Sequence, residues 1–95
     1  SGQIAIDKDG NLKTINIEEE TVQIFKNINA ILNEVNMTFE NIVKSTIFLK
    51  NMDDFSTVNS IYAKYFKSSP PARETVEVSR LPKNVNIEVS VIAVK

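Results

Sequence analysis

The sequence has no histidine, no cysteine and no tryptophan, and only two glycines and three prolines in 95 residues. Without cysteine there is no disulfide framework, no thiolate nucleophile and no thiolate metal site. Without histidine there is no imidazole base, no Ser-His-Asp triad and no ordinary zinc site. Proton chemistry falls to Asp, Glu, Lys, Tyr or backbone groups, and nothing in the composition asks for a metal or cofactor. The scarcity of Gly and Pro argues against a disordered or fibrous chain. No apolar run nears the ~20 residues that cross a bilayer as a helix. Neither sign of charge is in excess: 11 Lys+Arg face 12 Asp+Glu, a net charge of −1. That balance gives no electrostatic reason to expect nucleic acid or an acidic membrane as partner. No signal peptide is recognisable, so the default compartment is the cytosol, or an organelle if a targeting segment precedes Ser1.

What is present is ordinary for a soluble globular protein: 42% apolar and 24% charged residues, in a length that suits one domain. Ser1-Gly2-Gln3-Ile4-Ala5-Ile6 reads as the end of a strand. Asp7-Lys8-Asp9-Gly10-Asn11 is a dense turn signal, and Leu12 to Ile17 alternates as a second strand of a hairpin. Glu18, Glu19 and Glu20 suit the first turn of a helix. Val22, Phe25, Ile28, Leu32 and Val35 then recur at helical spacing, predicting a helix over 18–35 with Asn36 as a left-handed stop. Lys44 to Lys50 is a β-rich run with Ile47 and Leu49 on one face and Thr46 and Phe48 on the other. Asp53 or Asp54 can cap a second helix whose apolar stripe is Phe55, Val58, Ile61, Tyr62, Tyr65 and Phe66. Thr75 to Ser79 and Val85 to Val91 read as two strands of a closing hairpin around Leu81-Pro82-Lys83-Asn84. The order ββ-α-β-α-ββ predicts an α+β layer, with both helices on one face of a mixed sheet. The other face mixes Thr, Phe, Asn, Glu and Ser, which invites a partner subunit.

Two side chains draw attention for chemistry. Arg73 follows Pro70-Pro71, whose rings stiffen the entering backbone and reduce the ordering cost of clamping an anion. A guanidinium suits a carboxylate because it offers two parallel N–H donors. Taken alone, a solvated loop arginine is the commoner outcome. Glu88 stands mid-strand on the face opposite Val85, Ile87, Val89 and Val91. If that face is covered, its carboxylate can act as a base toward water; if not, it is a solvated strand residue. Glu77 lies on a polar face too, and nothing local separates the two. Asp53-Asp54 reads as a helix cap rather than a metal pair, and the lysines form no basic stripe.

The run Pro70-Pro71-Ala72-Arg73-Glu74-Thr75-Val76-Glu77-Val78-Ser79-Arg80-Leu81-Pro82-Lys83 resembles the signature of the RidA family, also called YjgF/YER057c/UK114 or endoribonuclease L-PSP. Ser1-Gly2-Gln3-Ile4, Asn27 to Leu32, Met52 to Phe55, Val58-Asn59, Tyr62, Tyr65-Phe66 and Ile87 to Val94 match in place and order. The resemblance implies a chorismate-mutase-like fold assembled as a homotrimer. It also implies a deaminase that hydrolyses reactive 2-imino acids (2-iminobutanoate, 2-iminopropanoate) to 2-oxo acids and ammonia, in clefts between subunits and without a cofactor. By the resemblance, Arg73 clamps the substrate carboxylate and Glu88 positions or activates water. Asn59, Ser1 and Gly2 line the pocket, and Thr75 stands where many members have Cys, its backbone N–H still able to reach substrate. Ser90 stands where a second acid is common. Members usually carry a first strand and a pocket tyrosine ahead of the Ser-Gly-Gln motif, so residues 1–95 are expected to form a single RidA-like domain lacking its N-terminal strand or strands. The family's older nuclease and translation-inhibitor label is an alternative, poorly matched by a net charge of −1 and no histidine. A non-catalytic carboxylate-binding trimer is a third.

Overall fold

The computed structural model describes residues 2–95; Ser1, a predicted pocket residue, lies outside the described residues. Strand β1, Gly2–Gln3, leads into a turn organised by Asp7, whose Oδ1 accepts the N–H groups of Asp9 and Asn11, each at 2.9 Å. The Asn11 N–H, foremost among several donors that include the Lys13 ammonium at 3.5 Å, holds the Asp7 carboxyl below its ordinary range. Gly10 closes the turn at φ 85°, a conformation that costs glycine little.

The predicted hairpin shrinks to one bridge, Ile6 to Leu12. Ile15 is 82% exposed, so its face has nothing to pack on. The next residues are drawn into helix α1, Ile17–Glu34, whose N-cap Asn16 accepts the Glu19 N–H at 2.8 Å. The acids Glu18 to Glu20 occupy its first turn as predicted. Asn36 ends the helix with φ 60°, the predicted left-handed stop, and Met37 N–H returns to the Leu32 carbonyl at 2.9 Å.

Strand β2, Ile42–Leu49, buries Ile42, Ser45, Ile47 and Leu49. Helix α2, Phe55–Tyr65, follows a 3₁₀ turn over Met52–Asp54. The expected cap at Asp53 or Asp54 is displaced to Asn51, which accepts the Asp53 N–H at 2.9 Å, while Asp54 makes no capping bond. The chain begins to coil one 3₁₀ turn early, so its first unpaired donors fall at Met52 and Asp53.

Strands β3, Ala72–Glu77, and β4, Ile87–Ala93, complete a four-stranded sheet in the order β1-β4-β2-β3. β3 runs parallel to β2, with α2 as the crossover, and β4 pairs antiparallel with β2 on its other side. The predicted closing hairpin is therefore wrong: β3 and β4 flank β2 and do not pair with each other. Burial explains the choice. β4 places Ile87 and Val89 fully inside, whereas β3 has no buried residue and carries Arg73, Glu74 and Glu77, a composition that suits an edge strand. The turn at Pro82–Asn84, with Lys83 and Asn84 at φ 56° and 55°, carries the chain across the end of β2, where Lys50 N–H meets the Asn86 carbonyl.

Both helices cover one face. Ile24, Phe25, Ile28 and Leu32 of α1 meet Val58, Ile61 and Tyr62 of α2 over Ile47, Leu49, Ile87 and Val89. The Phe25 ring stacks on Tyr65 at 4.7 Å between centroids and meets Tyr62 edge-on at 5.9 Å. Tyr62 and Tyr65 are thus packing residues on this side, as helical spacing implied.

Candidate active site

Strand register fixes which face each candidate occupies, because successive side chains alternate. Arg73 pairs with Ser45 and Thr75 with Ile47, so both sit on the helix-covered face, at the edge strand. Glu88 pairs with Phe48, three residues on from Ser45 in β2, and so points to the opposite, uncovered face. That orientation agrees with the sequence reading of Glu88. A single chain, however, does not bring Arg73 and Glu88 together: they lie on opposite faces, on strands that flank β2.

Arg73 is surface-exposed and held by α2. Its Nη1 donates to Asn59 Oδ1 at 2.5 Å. Its Cζ stands 4.8 Å from the centre of the Tyr62 ring and 5.6 Å from that of Phe55, within cation–π range. Pro70, Pro71, Ala63 and Phe66 continue from these residues as the wall of an open groove. Two predicted site residues, Arg73 and Asn59, are therefore in direct contact, and Thr75 lies two residues along the same face. The Thr75 hydroxyl is buried and has no hydrogen-bond partner among the described residues.

Glu88 and Gly2 form a second group. β1 pairs with β4 through Gly2 with Ser90 and Gln3 with Val89. A methyl group on Gly2 would collide with the Glu88 carboxylate, so the missing side chain is what lets that carboxylate lie across β1. Asn27 of α1 tethers the segment after β1 by donating to the carbonyls of Ile4 and Ile6, at 3.3 and 2.8 Å. Glu77, which the sequence left level with Glu88, is separated from it by the structure. It sits on the helix-side face, and its Oε1 accepts the Met52 N–H at 2.7 Å.

Sequence reasoning missed Glu20. It is fully buried, and its carboxylate accepts the Asn86 N–H at 2.8 Å, the Asn86 side-chain amide at 2.8 Å and the Ile87 N–H at 3.3 Å. It therefore pins the start of β4, the strand that carries Glu88. One available signal was its phase, since Glu20, Ile24 and Ile28 recur every four residues along the buried stripe.

A profile described as Endoribonuclease L-PSP matches residues 1–95. A RutC family protein of Saccharolobus solfataricus is 47% identical over 96 residues, which cover 100% of this chain and 76% of that protein. The human 2-iminobutanoate/2-iminopropanoate deaminase is 43% identical over 96 residues, covering 100% of this chain and 70% of that protein. The crystal structure of yeast Mmf1 superposes with a TM-score of 0.96 at 44% identity, covering 100% of this chain and 76% of that one. The Escherichia coli YjgF gene product gives a TM-score of 0.92 at 39% identity, covering 100% and 77%. The fold is that of the RidA, or YjgF, proteins, an α+β layer of the chorismate-mutase-like type, and the chain belongs to the Endoribonuclease L-PSP family.

Proposed function

We propose that the chain hydrolyses small 2-imino acids to 2-oxo acids and ammonia, at sites completed between copies of itself in a homotrimer. The observation that carries this reading is the Arg73 guanidinium, with one nitrogen held by Asn59 and its Cζ over the rings of Tyr62 and Phe55. The remaining N–H groups can engage a carboxylate in a bidentate pair. The name of the human relative supports the choice of substrate class.

In the reaction proposed, Arg73 binds the carboxylate of R–C(=NH)–COO⁻ and fixes the imine carbon beside the Thr75 backbone. A water held by the Glu88 carboxylate of a neighbouring copy attacks that carbon as Glu88 accepts its proton. Glu88 passes that proton to the imine nitrogen, giving the carbinolamine R–C(OH)(NH₂)–COO⁻. It then takes the hydroxyl proton and delivers it to the nitrogen as the C–N bond breaks, releasing ammonia and leaving R–C(=O)–COO⁻. The imine is already electrophilic, so positioning and one base suffice, with no cofactor required. Because Arg73 and Glu88 occupy opposite faces of one sheet, the arrangement needs the uncovered face of one copy against the Arg73 edge of another. The nuclease reading attached to the family description has no comparable feature behind it, since the chain has a net charge of −1 and no histidine.

The test is Arg73→Ala, with 2-iminobutanoate generated in the cuvette by a pyridoxal-phosphate dehydratase. A charge-assisted bidentate pair contributes roughly 1.5–3 kcal/mol, so hydrolysis falls tenfold to over a hundredfold while the fold is retained. Arg73→Lys recovers little, because a point charge lacks the fork. Near-full activity in Arg73→Ala, or a wild-type chain that does not accelerate hydrolysis, refutes the proposal.

A further inference from the structure

Arg73 is an exposed side chain on an edge strand, a setting in which a long flexible arginine ordinarily samples many rotamers. Its guanidinium is nevertheless engaged at three points, all from α2. Phe55, Asn59 and Tyr62 are spaced i, i+4 and i+7, which places them on one stripe of the helix. The middle residue takes one N–H, and the flanking two present ring faces to Cζ at 5.6 and 4.8 Å. Contact with a ring face uses no N–H donor, so the donors not taken by Asn59 stay available for an anion. The inner ring is itself fixed: Tyr62 is 5% exposed and packs on Phe66 at 4.5 Å and Phe25 at 5.9 Å between centroids. The outer ring, Phe55, is half-buried at the rim.

Resting on the carboxylate reading of Arg73, we propose that Phe55 and Tyr62 are positioning residues. The two rings set the plane of the guanidinium so that an incoming carboxylate meets an already oriented fork, and the ordering cost is met in the free protein. The aromatic–Asn–aromatic stripe of α2 is therefore part of the ligand-recognition apparatus as well as part of the core.

The chain has two arginines, Arg73 and Arg80, so the Nε–Hε signal of Arg73 can be assigned by NMR with Arg80→Lys. In the wild type that signal should be shifted upfield by the ring faces. Phe55→Leu, chosen because Phe55 is the less buried ring, should move it toward the value of a free arginine. The same change should weaken 2-oxobutanoate binding, followed by NMR titration, about two- to fivefold, the range of an exposed cation–π contact. KM should rise with little change in kcat, and Phe55→Tyr should restore both signal and affinity. The proposal is overturned if Phe55→Leu leaves the Arg73 signal in place, if the signal collapses with no loss of affinity, or if Phe55→Tyr fails to rescue. Arg73→Ala separates the two levels. If it leaves 2-oxobutanoate affinity unchanged, the carboxylate reading itself fails and the positioning role falls with it, whatever the NMR signal does.

Discussion

Replacing Glu20 with alanine tests how β4, and Glu88 with it, is held in place. The side chain is 0% exposed and accepts three hydrogen bonds, two from Asn86 and one from Ile87. In Glu20→Ala, two backbone N–H groups and one amide lose their acceptor at the mouth of the core, and a cavity opens beside Ile24. An unsatisfied buried donor costs about 1–3 kcal/mol, and removing one side of a buried charged network typically costs 3–5 kcal/mol in all. Asn86 is half-exposed and water can reach part of its amide, so the lower half of that range is expected: about 3–4 kcal/mol. For a domain this size each kcal/mol lowers Tm by ~4–8 °C, so the shift is on the order of 12–32 °C. Glu20→Gln is the informative companion. Its carbonyl can still accept the Asn86 N–H, but its NH₂ would face the Asn86 amide donor to donor. Rotation of the Asn86 amide relieves that clash, so the cost should stay at about 1.5 kcal/mol, the low end for one charge-assisted bond. Urea unfolding followed by circular dichroism, at one fixed protein concentration, gives both values. If Glu20→Ala lies within 1 kcal/mol of wild type, or if Glu20→Gln is as damaging as Glu20→Ala, the account of Glu20 as an acceptor network is wrong.

Two further outcomes are expected. Glu88→Gln keeps the shape of the side chain but removes its basicity; turnover should fall by ~10²–10⁴-fold while 2-oxobutanoate affinity stays within a few fold. Parallel loss of both in rate assays and calorimetry would make Glu88 a ligand-binding or structural residue. Light scattering at micromolar concentration should give a mass near three chains; a clean monomer would leave Arg73 and Glu88 on opposite faces and remove the proposed mechanism.

Local chemistry was legible in the residues themselves. The three-and-four spacing from Val22 to Leu32, the acids at Glu18 to Glu20 and the positive φ of Asn36 make α1 a matter of nearby residues, and the structure places its ends within one residue of the predicted ones. The same holds for the faces of β2 and β4, because alternation along a strand is a period of two whatever its partner. Arg73 and Glu88 stood out through Pro70-Pro71 and through the run of valines and isoleucines, and the family signature assigned them roles.

Pairing was not legible. The stretch from Thr75 to Val91 reads as a hairpin, yet β4 crosses to the far side of β2, because the central positions of a sheet go to the strands with most to bury and β3 has charges to leave at the edge. Only that topology puts Arg73 and Glu88 on different faces and makes a second copy necessary to the proposed chemistry. Glu20 carries the same lesson. Three consecutive glutamates are identical as sequence, and only the seating of α1 against the start of β4 decides which one is sealed from water and has three donors waiting for it. The sequence determines what each segment can be, through propensity and periodicity acting over a few residues. The tertiary structure decides which segments meet, because that depends on the total apolar area that can be buried at once.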